Sequence, residues 1–176
     1  MRLGLAKDEV KIVPHTKEWK TEFNNVHACL VKNTGLEGVR IEHIGSTAIG
    51  GIHAKPIIDL MVGVDDLENV KSPVRAGLKA CGFLQLRVER PGEVVFARFT
   101  DESYKVKTHY VHLMEYKSEL WNNLLFFRDY LNEHEDEKRA YENLKFDFIN
   151  GDEEGIVAYT DHKEAFVKRI TDKRPK

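Results

Sequence analysis

The chain has 176 residues, of which 41% are hydrophobic and 32% are charged, a balance typical of a folded globular protein. Its 27 basic and 29 acidic residues give a formal net charge of −2, which argues against bulk attraction to nucleic acid or to an anionic membrane. No segment reaches the roughly 18 apolar residues of a membrane span. The apolar part of the N-terminus is too short for a signal peptide, so we expect a cytoplasmic protein.

The first part of the chain predicts alternating helices and strands after a loose leader at residues 1–8. Residues 11–13 form a short β-prone segment, and Thr16 can cap a helix that ends near Gly35, since apolar residues recur there every three or four positions. A further helical stretch is predicted around residues 67–81. Strands are predicted at 39–44, 56–64, 83–89, 94–100 and 106–114.

The pattern changes near residue 116, beyond which the chain predicts helices only. Apolar residues recur with helical spacing over 118–149 and again over 156–170. We therefore predict an α+β fold, in which a mixed β-sheet with flanking helices is followed by a C-terminal helical part. The prediction is one domain over residues 1–176, with an α/β part at 9–116 and a helical part at 117–172.

The two cysteines, Cys29 and Cys81, are far apart in sequence, and neither belongs to a CxxC pair. This spacing is not typical of a disulfide framework or of a zinc finger. Both lie among apolar residues in helical patterns, so we predict that they are small, buried, reduced side chains.

A glycine-bearing turn follows the strand that ends at residue 44. Gly45 would let the backbone approach a ligand closely, while Ser46 and Thr47 offer hydroxyl and N–H groups. If a helix begins here, its N-terminus would favour phosphate. An ordinary strand-to-helix turn is the alternative interpretation, since Gly-Ser turns are common.

Asp59 lies within the apolar run at 56–64, which is typical of a central strand buried on both faces. Strand alternation places Asp59 and Met61 on one face, opposite their apolar neighbours. An ionised carboxylate is costly there unless it is paired or binds a metal. A metal-facing carboxylate is one interpretation, and pairing with an arginine or capping of a turn is the other.

A Gly-Ser turn followed about thirteen residues later by a strand with an aspartate resembles the signature of the polymerase-β-like nucleotidyltransferase superfamily. The longer strings resemble the GrpB family of bacterial proteins over nearly the whole chain. The strings are IEHIGSTA (41–48), AKPIIDLMVGV (54–64), THYVHLM (108–114), LFFRDYLNEH (125–134) and the closing Tyr159, Lys163 and Phe166.

The superfamily resemblance implies metal-dependent transfer of a nucleotidyl group from an NTP, with Mg²⁺ or Mn²⁺ held by carboxylates. Here Met61 stands where a second metal-binding acid is expected, and a thioether is a poor ligand for Mg²⁺. Glu42 and His112 are the candidates to complete a catalytic and metal-binding set with Asp59. For His112 the alternative is a packed strand histidine.

Three basic residues are candidates to contact the phosphates of a nucleotide. Lys55 is close to the turn in sequence, Arg98 lies within an apolar strand, and Lys163 follows Tyr159 on the last helix. Arg98 could also pair with Asp59, and Lys163 could be a solvated helix lysine. The adjacent Arg128 and Asp129 could serve only to anchor the helical part to the sheet.

Three hypotheses for function follow from these patterns. The chain is a nucleotidyltransferase with an unknown acceptor, a degenerate relative that binds a nucleotide or another phosphate-bearing small molecule without turnover, or a folding-accessory module. The third hypothesis needs an exposed aromatic patch on the helical part. A nucleic acid partner is disfavoured because basic tracts are missing. The sequence does not determine the oligomeric state.

Overall fold

A computed structural model describes residues 3–151 and 155–175 of the chain. Within these ranges six strands form one mixed sheet in the order β2-β3-β6-β5-β4, and β1 pairs with β6. The strands are β1 (Leu5–Ala6), β2 (Ile41–Ile44), β3 (Ile58–Val64), β4 (Leu84–Arg90), β5 (Glu93–Phe99) and β6 (Val106–Glu115). β3 and β6 run parallel, and the other pairs are antiparallel.

Two helices, α1 (Glu18–Thr34) and α2 (Ser72–Ala80), cover one face of the sheet, which we call the back face. The Thr16 hydroxyl accepts a hydrogen bond from the Glu18 N–H at 3.3 Å, and Gly35 ends α1 with φ 72°. The core of this layer is formed by apolar side chains of both helices and of the central strands, including Trp19, Leu30, Leu60, Leu78 and Leu113.

The back face also carries a disulfide bond, which corrects the prediction of two reduced cysteines. Cys29 on α1 and Cys81 at the end of α2 are bonded, with their Cα atoms 6.1 Å apart. The sequence separation of 52 residues contains no spacing motif that indicates this pairing. The pairing arises because α1 and α2 pack side by side.

Three helices, α3 (Glu119–Glu133), α4 (Glu135–Asn150) and α5 (Ile156–Thr171), form the C-terminal helical part. α3 packs on the other face of the sheet, the front face, where Trp121 joins Ile44, Met61 and Met114 in a small core. The three helices share a further core with the loop after β2. The α+β fold predicted from the sequence is confirmed in this arrangement.

Several details differ from the sequence prediction. The expected loose leader contains β1, in which Leu5 is buried and pairs with Lys107. The β-prone segment at 11–13 contributes a single bridge between Val13 and Ala54. None of the described helices combines the length and the apolar character needed to cross a membrane.

Candidate functional site

The turn after β2 brings the backbone against Asp59. Gly45 has φ 71°, and a Cβ atom added to it would lie 2.5 Å from Asp59 Oδ2. Both features require glycine, because other residues rarely adopt this φ and would collide with the carboxylate. Residues Ser46–Ala48 form a single 3₁₀ turn. The longer helix that could have favoured phosphate through its N-terminus does not begin here.

The two hydroxyl residues of the turn have different surroundings. Thr47 is buried, donates to the carbonyl of Ile57 at 3.4 Å and lies 2.9 Å from His43 Nε2. Burial lowers the pKa of His43 to about 4, so its ring is neutral and can donate to the Thr47 hydroxyl. Ser46 Oγ instead lies 3.1 Å from the hydroxyl of Tyr141 on α4. Ser46 therefore links the turn to the helical part.

Asp59 and His112 share the front face of the sheet. Asp59 is paired with Tyr110 in the register of β3 and β6, and Met61 is paired with His112. Asp59 Oδ1 lies 3.6 Å from His112 Nε2, and the other ring nitrogen of His112 lies 2.7 Å from Glu93 Oε2 on β5. The histidine ring thus lies between two carboxylates.

These contacts shift the pKa values of His112 and Asp59. Burial alone would lower the pKa of His112, but its contacts with Asp59 and Glu93 raise the pKa to about 9. Burial acts to raise the pKa of Asp59, while its contact with His112 and the nearby lysine charges lower it overall. We therefore expect a charged His112 and an ionised Asp59 near neutral pH.

Two lysines converge on one aromatic ring beside this group. Lys55 Nζ lies 4.7 Å, and Lys163 Nζ 4.2 Å, from the ring centre of Tyr159 on α5. Burial is the largest cause that lowers the pKa of each lysine to about 8, although the charge of Asp59 acts to raise both values. The lysines are poorly hydrated cations, which an anion would stabilise.

A third lysine lies deeper between the turn and α4. Lys145 is fully buried, donates to the backbone carbonyl of His53 and lies 4.6 Å from the ring centre of Tyr141. Burial, together with repulsion by Lys163, lowers the pKa of Lys145 to about 7. Lys145 was not among the residues predicted for the site. Its signal in the sequence was a lysine flanked by Leu144 and Phe146.

The comparison with known proteins matches this chain almost from end to end. A family model described as GrpB protein matches residues 9–173. The chain belongs to the GrpB family. The glutamate-rich protein GrpB of Alkalihalophilus pseudofirmus is 40% identical over 169 residues, which cover 96% of this chain and 97% of that protein.

Two further relatives of this GrpB-family chain differ in how much of their length it covers. The UPF0157 protein YqkA of Bacillus subtilis is 30% identical over 92% of the chain, which spans only 46% of that protein. The solved structure of the conserved protein GrpB from Enterococcus faecalis superposes with a TM-score of 0.73 and 25% identity, over 92% of this chain and 95% of that one.

Glu42, one of the predicted catalytic and metal-binding residues, is engaged elsewhere in this GrpB chain. It lies on the front face opposite Met61, but its carboxylate accepts a hydrogen bond from Arg128 Nη1 at 2.7 Å. Arg128 also donates to the carbonyl of His43 at 2.9 Å. These bonds agree with the alternative in which Arg128 anchors the helical part to the sheet.

Arg98 lies on the back face, which corrects the prediction that it pairs with Asp59 or contacts a phosphate beside it. Arg98 is paired with His109 of β6. Because side chains alternate along a strand, this position faces the side of the sheet opposite to Asp59. Its guanidinium lies 3.9 Å from Glu22, at a cavity of about 540 Å³ next to the disulfide. The front face has a smaller cleft of about 180 Å³, lined in part by Lys55 and Tyr110.

The side chains near Asp59 do not match the donor set of a Mg²⁺ or Mn²⁺ site. Met61 is fully buried at the position of the second acid, and Glu42 is bound to Arg128. Within residues 3–151 and 155–175, three or more Asp, Glu, His or Cys side chains are nowhere grouped as a metal site would need. Of the three predicted ligands, Asp59 and His112 lie together, whereas the carboxylate of Glu42 is bound to Arg128.

Proposed function

We propose that the chain binds a phosphate-bearing small molecule, with a nucleoside triphosphate as the first candidate, between Asp59 and helix α5. The observation that carries this proposal is the hydroxyl of Tyr159. The side chain is 1% exposed, and among the described residues its hydroxyl has no hydrogen-bond partner. A buried polar group of this kind needs an explanation, and an absent ligand is one.

The surroundings of Tyr159 favour an anion as that ligand. Lys55 and Lys163 both lie against its ring. Burial and the neighbouring charges raise the pKa of the Tyr159 hydroxyl, so the group keeps its proton and can only be a donor to an anion. Phosphate oxygens accept from hydroxyl and ammonium groups and bring the charge that the lysines require.

Part of the site is exposed. The side chain of Asp59 is 29% exposed, and Lys55 lines the front-face cleft. Counting His112, Lys55 and Lys163 as positive and Asp59 and Glu93 as negative leaves a net charge of +1. Protonated Lys145 adds another positive charge. This local excess is opposite in sign to the chain as a whole.

Tyr159→Phe tests the proposal because it removes one oxygen and keeps the ring that the lysines contact. We expect affinity for ATP, measured by calorimetry, to fall about tenfold, as is typical for a lost hydrogen bond to a charged group. We expect the free energy of unfolding to stay the same or rise, because an unpaired buried hydroxyl is removed.

Tyr104→Phe is the matched control, because Tyr104 is 57% exposed and lies away from the site in a turn. It should leave ATP affinity unchanged. Equal affinities for the wild type, Tyr159→Phe and Tyr104→Phe would show that the Tyr159 hydroxyl does not contact the ligand. Absence of binding by ATP, GTP, CTP and UTP would rule out a nucleoside triphosphate as the ligand.

Nucleotidyl transfer is a second candidate function. The contact between Gly45 and Asp59 favours it, because the Gly-Ser turn and the strand aspartate are the residues on which the resemblance to the superfamily rests. Transfer predicts release of pyrophosphate from an NTP, lost in Asp59→Asn. If the chain binds ATP but releases no pyrophosphate with any acceptor offered, nucleotidyl transfer is excluded and only the binding function remains.

A further inference from the structure

The ring of His112 occupies the space in which a cation would face Asp59. Its Nε2 atom faces Asp59 Oδ1 at 3.6 Å, and its Nδ1 atom faces Glu93 Oε2 at 2.7 Å. The Nδ1 contact is within hydrogen-bond distance, whereas the Nε2 contact is longer than a hydrogen bond. The ring of His112 therefore lies between two carboxylates.

Both oxygens of Asp59 lie close to neighbouring groups in this arrangement. Oδ1 faces the histidine ring, while Oδ2 lies against the backbone of the glycine turn, where an added Cβ would be 2.5 Å away. A divalent ion at Asp59 would have to displace the ring of His112 or separate the turn from β3. Either change breaks a packed contact.

No second carboxylate can reach the same position without rearrangement. Met61, the next residue of β3 on this face, is fully buried against Ile44, Met114 and Trp121. Glu93 lies on the far side of the His112 ring from Asp59. Mg²⁺ is usually bound through one or two carboxylates in near-octahedral geometry. Among the described acidic residues of the front face, Glu42 is bound to Arg128 and Glu93 to His112.

We propose that this site takes its phosphate ligand without a divalent cation. The ring of His112 lies beside Asp59 on β6, and the ammonium groups of Lys55 and Lys163 supply the positive charge that metal ions supply in a two-metal site. This inference rests on the proposed function, and it names the form of the ligand as a free, metal-unbound phosphate or polyphosphate group.

The first measurement is a titration of the wild-type chain with Mn²⁺, followed by electron paramagnetic resonance in the absence of nucleotide. We expect the signal of free Mn²⁺ to persist, with no stoichiometric binding. Binding of one or two Mn²⁺ ions that is lost in Asp59→Asn would overturn the inference. This measurement does not depend on whether nucleotides bind.

The second measurement compares ATP affinity by calorimetry in EDTA and in excess Mg²⁺. Equal affinities, within about threefold, are expected. Binding that is about tenfold tighter in Mg²⁺, or that occurs only with Mg²⁺, would overturn the inference while supporting the proposed function. Failure of ATP to bind in either condition would instead contradict the proposed function, and the Mn²⁺ titration would still decide whether Asp59 is a metal ligand.

His112→Asp provides a matched variant in the same position. It removes the imidazole ring and places a carboxylate on the neighbouring strand, two residues beyond Tyr110, the register partner of Asp59. We expect this variant to gain Mn²⁺ binding that the wild type lacks. If the folded variant, checked by circular dichroism, gains none, His112 is not what keeps a divalent ion out.

Discussion

Gly45 is the residue at which backbone conformation and the site depend on each other most directly. Its φ of 71° is one that residues with a Cβ rarely adopt, and its Cα lies against the carboxylate of Asp59. Gly51, in the same loop, has a similar φ of 79° but nothing within 4 Å of an added Cβ. A comparison of substitutions at Gly45 and Gly51 therefore separates the free-energy cost of backbone strain from that of a collision with Asp59.

We expect Gly51→Ala to lower the free energy of unfolding by about 1–2 kcal/mol, the cost of a left-handed conformation. Gly45→Ala should cost at least about 1 kcal/mol more, because the new methyl group pushes Asp59 away from its contact with His112. Urea unfolding of both variants, with ATP binding of each, measures the difference. Equal losses of stability with equal affinities would show that the contact of Gly45 with Asp59 has no energetic consequence.

Strand alternation correctly predicted that Asp59 and Met61 share one face of β3. The register of β3 and β6 places His112 on that face too, which the periodicity of either strand alone could not indicate. Glu93 was not predicted, because its contact with His112 joins strands whose relative register is not determined by either segment alone. Lys145 was missed for a related reason: its partner is a backbone carbonyl 92 residues away.

Among the elements, α5 brings Tyr159 and Lys163 to the site together. The two residues are four positions apart, so they lie on one side of the helix, one turn from each other. Lys55 reaches the same ring from the segment before β3. The spacing on α5 was visible in the sequence, but the convergence with Lys55 depends on how the helical part packs on the sheet.

The lowered pKa values of these lysines predict how binding depends on pH. The protonated amine is the form that binds phosphate, and the pKa of both Lys55 and Lys163 is about 8 in the free protein. Affinity for ATP should therefore be highest below pH 8 and fall above it, by about tenfold per pH unit for each lysine that loses its proton.

Calorimetry from pH 7 to 9.5 in buffers of different ionisation enthalpy measures both the affinity and the protons taken up on binding. Lys163→Gln should weaken ATP binding and make the affinity depend less steeply on pH. Lys168→Gln, which changes an exposed lysine of the same helix, should change neither the affinity nor its pH dependence. An affinity that does not vary over this range would contradict a role for either amine.

Two other elements show where local sequence signals fail. The helical pattern at 118–149 divides at His134, which has an extended backbone with φ −120° and stacks on Tyr130. Neither glycine nor proline marks the break, so local propensity could not reveal it. The aromatic patch needed by a folding-accessory module is not exposed, because Trp121 and Phe127 are buried and Phe126 and Tyr130 are half-buried.

Over the whole molecule, the site depends on contacts that hold the helical part to β2 and to the loop between β2 and β3. Arg128 binds Glu42, Ser46 contacts Tyr141, and Glu142 accepts from the backbone and the ring of His53. The family resemblance covered both parts of the chain and so predicted that they belong together. It could not predict which side chains meet between them.

The disulfide between α1 and α2 is a feature of the whole molecule because it closes a loop of 52 residues. A loop of this length stabilises a fold by about 4 kcal/mol in the chain-entropy description. We expect Cys29→Ser with Cys81→Ser to lower the free energy of urea unfolding by roughly that amount. Binding of ATP should be unchanged, because the bond lies on the back face.

Unfolding of the wild type with and without a phosphine reductant provides the matched comparison, and the double serine variant should not respond to the reductant. A wild type that is equally stable under both conditions would show that the bond does not contribute. Loss of ATP binding on reduction, in a chain that stays folded, would show that the two faces of the sheet are coupled.

The same bond makes part of the chain a covalent ring. The ring runs from Cys29 to Cys81 and contains the glycine turn, Lys55 and Asp59, whereas His112, Tyr159 and Lys163 lie outside it. The exposed connection at residues 65–71 is also inside the ring. A protease that cuts there would leave two fragments tethered by sulfur, which migrate as one band without reductant and as two with it. The oxidised protein can thus lose a peptide bond in this connection and still hold every residue of its site in one molecule.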